Sequence, residues 1–233
     1  MALVRLNKFL GEMGVASRRR AEQLILSGEI KVNGVVVHEL GTKVDPDFDK
    51  IYFNNKLVAK KKRKQLVIML NKPVGYVSTV RKFRGEKNVL ELIETDERVY
   101  PAGRLDKDST GLLILTNDGD LALKLMHPRY EKEKEYLVEV DHAIDDGFFK
   151  KMSAGVWLED GQTLPAITKR VSDRVFTIIL REGRKRQIRR MCEAFKYKVV
   201  SLKRVRINRL LLGKLSVGKY KVLSEKEIEL LKT

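Results

Sequence analysis

The apolar positions of the first 58 residues predict two helices followed by a small sheet. The first helix is marked by apolar residues at helical spacing, namely Leu6, Phe9, Leu10 and Met13. Ser17 suits the N-cap of a second helix from Arg18 to about Leu26, and Gly28 suits its end. Asn33-Gly34 lies between two apolar runs, which is a strong signal for a two-residue hairpin turn. We therefore expect a compact module of two helices and a hairpin sheet.

Beyond residue 65, strands and helices alternate without the regular rhythm of a parallel βαβ fold. Apolar or alternating runs predict strands at 66–70, 111–116, 136–140, 175–180 and 199–207. Helices are predicted from Asp118 or Asp120 to Met126, and from Arg186 to Phe195. The mixture predicts an α+β fold whose second domain has a mostly antiparallel sheet flanked by helices. The expected domains are 1–58 and 66–233, joined by a basic linker at 59–65.

Positive charge is concentrated in a few segments of the chain. Lys and Arg number 48 against 31 Asp and Glu, so the formal net charge is +17. The basic residues cluster at Arg18 to Arg20, in KKKRK at 60–64, and between Arg181 and Arg209. Solvated lysine on a soluble protein is the simpler alternative, but segregated charge favours a polyanion partner because each neutralised phosphate adds salt-sensitive affinity.

Several functional classes are disfavoured by what the chain does not contain. No apolar run approaches the roughly 18–20 residues of a membrane span, and the pattern of the first residues does not predict a secretory leader. A single cysteine, Cys192, and three scattered histidines exclude a disulfide framework and a Cys/His metal cluster. Cys192 is expected to be a packed residue rather than a catalyst. Phosphate-binding loop motifs are also missing, so we expect no cofactor. Together with the preceding observations, this predicts a cytoplasmic protein with no metal and no membrane partner.

The densest polar segment, PAGRLDKDSTG at residues 101–111, directly precedes an apolar strand. A calcium loop would use Asp106, Asp108 and Thr110, but its twelfth position is Asn117 instead of a bidentate Glu, and no helix follows. An ordinary polar turn is the second alternative. The Arg-Leu-Asp triplet instead presents a carboxylate at the edge of a core with cations around it. This arrangement favours a chemically active site over an ordinary turn.

At this point the motifs resemble those of RNA pseudouridine synthases. The resemblance rests on GRLD at 103–106 with GLLILTNDG at 111–119, KEYLV at 134–138 and GRKRQIRRM at 183–191. The first domain resembles the RNA-binding domain named after ribosomal protein S-four, through RLNKFL at 5–10, GVASRR at 14–19 and GEIKVNG at 28–34. This layout resembles the branch that modifies bacterial ribosomal RNA, and KMSAGV at 151–156 with RQIRRMCE at 186–193 favours its large-subunit members.

The resemblance implies a cofactor-free reaction in which uracil is detached from ribose and rejoined through carbon 5. Asp106 is implied as the essential carboxylate, Tyr136 as the aromatic group against the uracil, and Arg189 as the guanidinium paired with Asp106. Because the uridine has to leave the base stack to react, Arg104 is expected to stack in the vacated position. Whether Asp106 attacks the nucleoside or assists glycosidic cleavage stays open.

Further polar residues are expected to contact RNA. In the first domain the resemblance implies contacts from Lys8, Ser17, Arg18, Arg19, Lys31 and Asn33. In the second, phosphate contacts are expected from Lys107, Arg186 and Arg190. The expected partner is a stem-loop of large-subunit (23S) ribosomal RNA, bound by a monomer, with 16S ribosomal RNA and transfer RNA left open. The competing class is a non-catalytic RNA-binding assembly factor. DNA binding is disfavoured because the sequence has no clear helix-turn-helix pair.

Overall fold

The computed structural model describes residues 3–59 and 65–232 and contains two compact units, Met1–Gln65 and Leu66–Thr233. The KKKRK run at 60–64, the main part of the predicted linker, lies outside the described residues. Within the described ranges, none of the helices is both long enough and apolar enough to cross a membrane.

The first unit has two helices and short strands, as the sequence pattern predicted. Its elements are β1 (Val4–Arg5), α1 (Leu6–Glu12), α2 (Arg18–Leu26), β2 (Ile30–Val32), β3 (Val35–Val36), β4 (Lys43–Val44), β5 (Ile51–Phe53) and β6 (Lys56–Leu57). The strands form an antiparallel sheet in the order β3-β2-β5-β6, and β1 pairs with β4. Ser17 caps α2 through a bond from the Arg20 N–H at 3.2 Å. Both residues of the Asn33-Gly34 turn have positive φ, 51° and 86°, as a two-residue hairpin requires.

The second unit is built on one large sheet. Its first elements are β7 (Val67–Lys72), β8 (Tyr76–Val77), β9 (Lys87–Asn88), β10 (Tyr100–Pro101), β11 (Thr110–Thr116), α3 (Gly119–Met126) and β12 (Lys134–Val140). Its later elements are α4 (Asp146–Ala154), β13 (Trp157–Leu158), β14 (Gly161–Gln162), β15 (Ile167–Arg170), β16 (Val175–Leu180), α5 (Gln187–Glu193), β17 (Val199–Ile207), β18 (Leu210–Leu211), β19 (Tyr220–Val222) and α6 (Glu225–Lys232). Short 3-10 helices cover Val89–Leu92 and Pro128–Tyr130.

The strand order of the large sheet is β15-β16-β12-β17-β11-β7-β19. Neighbouring strands along this order are antiparallel except β11 and β17, which are parallel. The prediction of an α+β fold with a mostly antiparallel sheet is therefore confirmed. The parallel pair joins the two halves of the sheet and brings the start of β11 next to the middle of β17.

Apolar cores cover the large sheet, which explains the continuous apolar runs of its central strands. Along β7 and β11, alternate residues enter different cores: Met69 and Ile114 pack with α3 and α6, whereas Leu70 and Leu113 pack with Val89 and Leu105. Strands buried on both faces contain few polar positions. A separate core packs α4 and α5 against β12 and β16. The segment 103–109, which carries the GRLD motif and is the catalytic-motif segment, lies between β10 and the buried strand β11.

Some element boundaries differ from the prediction. The first strand was predicted to end at Leu70, but β7 continues through Asn71 and Lys72, both of which are buried. The basic helix is shorter than predicted, because Arg186 has a left-handed backbone (φ 50°) and α5 begins only at Gln187. No helix was predicted at α4 or α6. Tertiary packing determines where these elements begin and end. The amine of Lys72, for example, bonds to carbonyl groups that the local sequence pattern does not reveal.

Candidate active site

A cleft of about 580 Å³ opens in the second unit. Its floor is one face of the large sheet, where Lys134 and Tyr136 on β12 lie beside Leu202 and Arg204 on β17. Its walls are the catalytic-motif segment 103–109, the end of α3 with residues 127–128, and the basic segment 180–188. Motifs that are distant in sequence therefore meet at one cavity. Asp106 lies on its wall.

The buried amine of Lys72 holds the segment that contains Asp106. Lys72 is 0% exposed, and its Nζ donates to the backbone carbonyls of Pro73, Asp106 and Ser109 at 2.8–3.0 Å. Burial lowers the pKa of Lys72 to about 8, although the carboxylates of Asp108 and Asp106 act in the opposite direction. One cation at the end of β7 thus fixes the backbone on both sides of Asp108 and places positive charge near Asp106.

A serine hydroxyl fixes the residue that precedes Asp106. The Oγ of Ser78 donates to the Leu105 carbonyl at 2.9 Å and lies 3.2 Å from the Leu105 N–H, which donates to it. The Leu105 side chain is itself buried. Because its neighbours on both sides are anchored, the Asp106 backbone is held in one position at the cleft wall.

Tyr136 lies on the cleft floor, directly opposite Arg204 in the antiparallel ladder between β12 and β17. Residues opposite one another in such a ladder have neighbouring side chains on the same face of the sheet. Lys134 is two residues from Tyr136 and therefore shares that face. Burial lowers the pKa of Lys134 to about 8, and the positive charge of Arg204 acts in the same direction. The floor combines an aromatic ring with two cations.

The expected direct pair of Arg189 with Asp106 is wrong in this structure. The Nη2 of Arg189 lies 3.2 Å from the Asp108 carboxylate and 3.1 Å from the Asp108 carbonyl, and Nη1 donates to the Val199 carbonyl at 3.0 Å. Arg189, on α5, is only 7% exposed and is not among the residues that line the cleft. It reaches the catalytic segment two residues past Asp106. No Lys, Arg or His side chain forms an ion pair with the Asp106 carboxylate among residues 3–59 and 65–232.

The other predicted contacts of the second unit are distributed differently around the site. Arg104 and Arg186 line the cleft with exposed side chains, and Arg186 also pairs with the Asp108 carboxylate at 3.1 Å. Lys107 is exposed and pairs with Glu86 at 2.9 Å. Arg190 was expected on a phosphate but forms a two-pronged pair with Asp160, at 2.9 and 3.0 Å. Arg104 and Arg186 are therefore the guanidinium groups best placed at the mouth.

The predicted RNA contacts of the first unit divide into charged and structural residues. Arg18 and Arg19 are exposed at the start of α2. Lys8 pairs with Glu12 at 3.5 Å, and Lys31 donates to the Asn55 amide at 2.9 Å. The side chains of Ser17 and Asn33 are engaged locally: Ser17 caps α2, and Asn33 bonds to Asp49 and to the Lys50 N–H. These bonds give both residues a structural role. The cap formed by Ser17 was predicted from the sequence, whereas the side-chain bonds of Asn33 were not.

Sequence reasoning assigned no role to Lys72, Arg204 or Lys134. The sequence gives little indication of a role for Lys72. The residue lies between an apolar run and a proline, a pattern that marks the end of a strand. Arg204 stands among twelve basic residues of its segment, and nothing in the sequence distinguishes a buried arginine from an exposed one. Lys72 and Arg204 are buried and Lys134 is half-buried, which distinguishes these three residues from the surface cations.

Cys192 lies on α5 and is buried in the core that packs this helix against β12 and β16, which agrees with its prediction as a packed residue. Burial raises the pKa of its thiol to about 12. Because the thiolate is the reactive form, we expect no mass increase when the folded protein is treated with iodoacetamide at pH 8. The same treatment in denaturant should add one carbamidomethyl group. Rapid labelling of the folded protein would contradict this burial.

Comparison with known proteins places the chain in a family. A family described as RNA pseudouridylate synthase matches residues 66–194, and the S4 domain matches residues 4–47. The fold, the cleft and these matches define one class: the chain belongs to the RNA pseudouridine synthase family and is an enzyme that acts on RNA. A purely non-catalytic binding factor is thereby disfavoured.

Individual relatives match over nearly the whole chain. An uncharacterised RNA pseudouridine synthase of Aquifex aeolicus (strain VF5) is 47% identical over 98% of this chain and 93% of its own length. The dual-specificity RNA pseudouridine synthase RluF of Escherichia coli (strain K12) is 42% identical, over 97% and 77%. Ribosomal large subunit pseudouridine synthase B of Bacillus subtilis (strain 168) is 40% identical, over 98% and 95%. A pseudouridylate synthase crystal structure matches with TM-score 0.72 and 31% identity, over 98% of this chain and 99% of that one.

Proposed function

We propose that this protein converts a uridine of large-subunit ribosomal RNA to pseudouridine, with Asp106 as the essential carboxylate and Tyr136 against the base. The observation that carries the proposal is that Asp106 and Tyr136 line one cleft although 30 positions separate them in the chain. The cleft's volume of about 580 Å³ is within the range of small-ligand pockets and large enough for a nucleoside. The ribosomal target is supported by the large-subunit name of the Bacillus subtilis relative.

The reaction requires the target nucleotide to leave the RNA stack and enter the cleft. Unstacking costs roughly a few kcal/mol, which contacts to the flipped nucleotide have to offset. Arg104 is exposed on the wall next to Asp106, so its planar guanidinium can stack in the vacated position while Arg186 binds a phosphate. Lys107 is a further phosphate contact if RNA displaces Glu86 from it.

Asp106 acts on the ribose side of the glycosidic bond, and Tyr136 supports the uracil ring while it turns. An anchored backbone and a carboxylate without an ion-pair partner in the described ranges leave the Asp106 oxygens available to the substrate. Arg189 serves as a positioning residue, because it binds both the carbonyl and the carboxylate of Asp108. The residues of the cleft come from one chain, so we propose a monomer, and a ribosomal substrate places the reaction in the cytoplasm.

The substrate is tested by incubating the protein separately with deproteinised 23S and 16S ribosomal RNA and with transfer RNA. Pseudouridine is then mapped by carbodiimide modification and primer extension. We expect a stop at a defined uridine of 23S RNA. Modification confined to 16S RNA would overturn the large-subunit target but keep the enzyme class, and binding without modification of any RNA would overturn the assigned chemistry.

The exposed arginines of α2 are expected to contribute to RNA affinity through phosphate contacts. The double variant Arg18→Ala/Arg19→Ala should weaken binding and reduce the slope of log affinity against log salt by up to about 2. Filter binding across a salt series measures both quantities. Lys214→Ala/Lys226→Ala, which removes the same charge from exposed positions of the second unit, is the matched control. Equal losses in the two variants would contradict a specific role for α2.

A further inference from the structure

Arg204 is a buried cation on the floor of the cleft with an unused hydrogen-bond donor. The residue is 2% exposed. Its Nε donates to the Leu112 carbonyl at 2.7 Å, and Nη1 reaches the Arg104 carbonyl at 3.4 Å. Its Nη2 is buried and, among the described residues, has no hydrogen-bond partner. A buried charged donor without a partner costs free energy, so its presence in a cleft points to a ligand that supplies the acceptor.

The charge of Arg204 is also left without a carboxylate. Neither Arg204 nor Lys134 has an acidic group within 4.0 Å in the part of the chain that the structure describes. Arg206, two residues further along the same strand, pairs with Glu135 at 2.6 Å and with Glu133 at 3.2 Å. On β17, the charge of Arg206 outside the cleft is therefore neutralised by carboxylates, whereas the charge of Arg204 at the cleft floor is not. This arrangement creates a positive potential at the cleft floor.

The position of this potential relative to the proposed catalytic groups identifies what it acts on. Arg204 is opposite Tyr136 in the ladder, and its Nη1 contact is the carbonyl of Arg104, two residues before Asp106. Ser109, which lines the cleft, adds a second buried polar atom, its Oγ, that has no partner among the residues described. Exposed Arg104 and Arg186 also line the cleft and are available to the rest of the RNA, as the stacking group and the phosphate contact of the proposed function. The buried floor is therefore suited to the base, whose carbonyl oxygens accept hydrogen bonds.

We propose that Arg204, assisted by Lys134, stabilises the negative charge on uracil when the glycosidic bond breaks. This inference rests on the proposed function. When N1–C1′ breaks, the electron pair stays on uracil and spreads from N1 to the O2 and O4 oxygens, while the Asp106 carboxylate compensates the positive charge at C1′. Bond formation between C5 and C1′ then uses a ring electron pair, C5 loses its proton, and N1 gains one, so uridine and pseudouridine remain isomers. Fixed cations in a buried site act strongly on such developing charge.

The test compares two leaving groups in variants of the full-length protein. A stem-loop RNA with the mapped target is prepared with either uridine or 5-fluorouridine at that position, and nucleoside loss is followed by chromatography under single-turnover conditions. Fluorine stabilises the departing anion, so it reduces the need for a protein cation. Arg204→Met should slow uridine consumption by roughly 10²-fold to 10³-fold, with a defect at least about tenfold smaller for 5-fluorouridine.

Arg206→Met is the matched control, because it removes an arginine from the same strand outside the cleft. It should leave the ratio of the two rates at the wild-type value, whereas Arg204→Lys should restore part of the uridine rate. If Arg204→Met does not fold, Lys134→Met provides the same comparison, since the only described acceptor of its amine is the Lys132 carbonyl.

Equal defects on both substrates would show a structural role for Arg204, and weaker RNA binding with an unchanged rate would show a phosphate contact. Either result overturns the inference while the proposed function stands. A wild-type protein that consumes neither substrate would overturn the proposed function and the role of Arg204 together.

Discussion

Asp106→Asn is expected to abolish pseudouridine formation, with a rate reduction of roughly 10⁴-fold or more, as is found when an essential catalytic group is removed. The amide keeps the shape of the side chain but can neither attack carbon nor compensate positive charge at C1′. The backbone contacts that fix this segment come from Lys72 and Ser78 and do not involve the Asp106 carboxylate. Single-turnover release of tritium from 5-[³H]uridine RNA measures the effect.

RNA affinity should survive this substitution, because the expected phosphate contacts are cationic groups elsewhere. Filter binding with the same RNA should give a dissociation constant within about threefold of the wild-type value, since one fewer negative charge slightly favours a polyanion. Asp173→Asn, an exposed aspartate outside the cleft, is the matched control and should retain full activity. Turnover by Asp106→Asn at a tenth of the wild-type rate would remove Asp106 from its assigned role.

Gly111→Ala is expected to destabilise the second unit by about 3 kcal/mol or more, lowering its melting temperature by roughly 6–12 °C. Gly111 has φ +104°, a conformation that side chains with a Cβ rarely adopt. A Cβ at this position would lie 2.2 Å from the Arg204 carbonyl oxygen and 2.6 Å from the Arg204 nitrogen. Both atoms belong to the backbone of β17, so the parallel pairing of β11 with β17 would have to open.

Thermal unfolding followed by circular dichroism measures this destabilisation. Gly183→Ala is the matched control, because its Cβ would meet no atom within 4 Å and its backbone needs no left-handed conformation. It should change the melting temperature by less than about 2 °C. The same opening would displace Arg204 from the cleft floor, so activity of Gly111→Ala should fall even at temperatures where the protein remains folded. A melting temperature equal to that of Gly183→Ala would show that the contact is not tight in solution.

Much of the fold could be predicted from interactions between residues that are close together in the sequence. The Ser17 cap and the Asn33-Gly34 turn depend on a few neighbouring residues, so the first unit follows its sequence pattern closely. The apolar run of β11 also marks its strand correctly, because a strand buried on both faces needs apolar residues throughout. The family motifs added Asp106 and Tyr136, whose meeting in one cleft no periodicity could show.

The partners of the buried charged groups could not be predicted from the sequence. Arg189 and Asp106 belong to different motifs, and the sequence does not reveal which carboxylate a buried guanidinium meets. The packing of α5 places Arg189 at Asp108 instead. In the same way Lys72 and Arg204 resemble surface cations in the chain, yet the fold buries both.

By itself the sequence determined most of the local elements, the family and the candidate for the essential carboxylate, because each depends on residue type and short-range spacing. Only the tertiary structure decided which cations lie near Asp106 and which one lies unpaired on the floor of the cleft. The reason is that burial and partner choice arise from strands far apart in the chain, above all from the contact of β11 with β17 at Gly111 and Arg204.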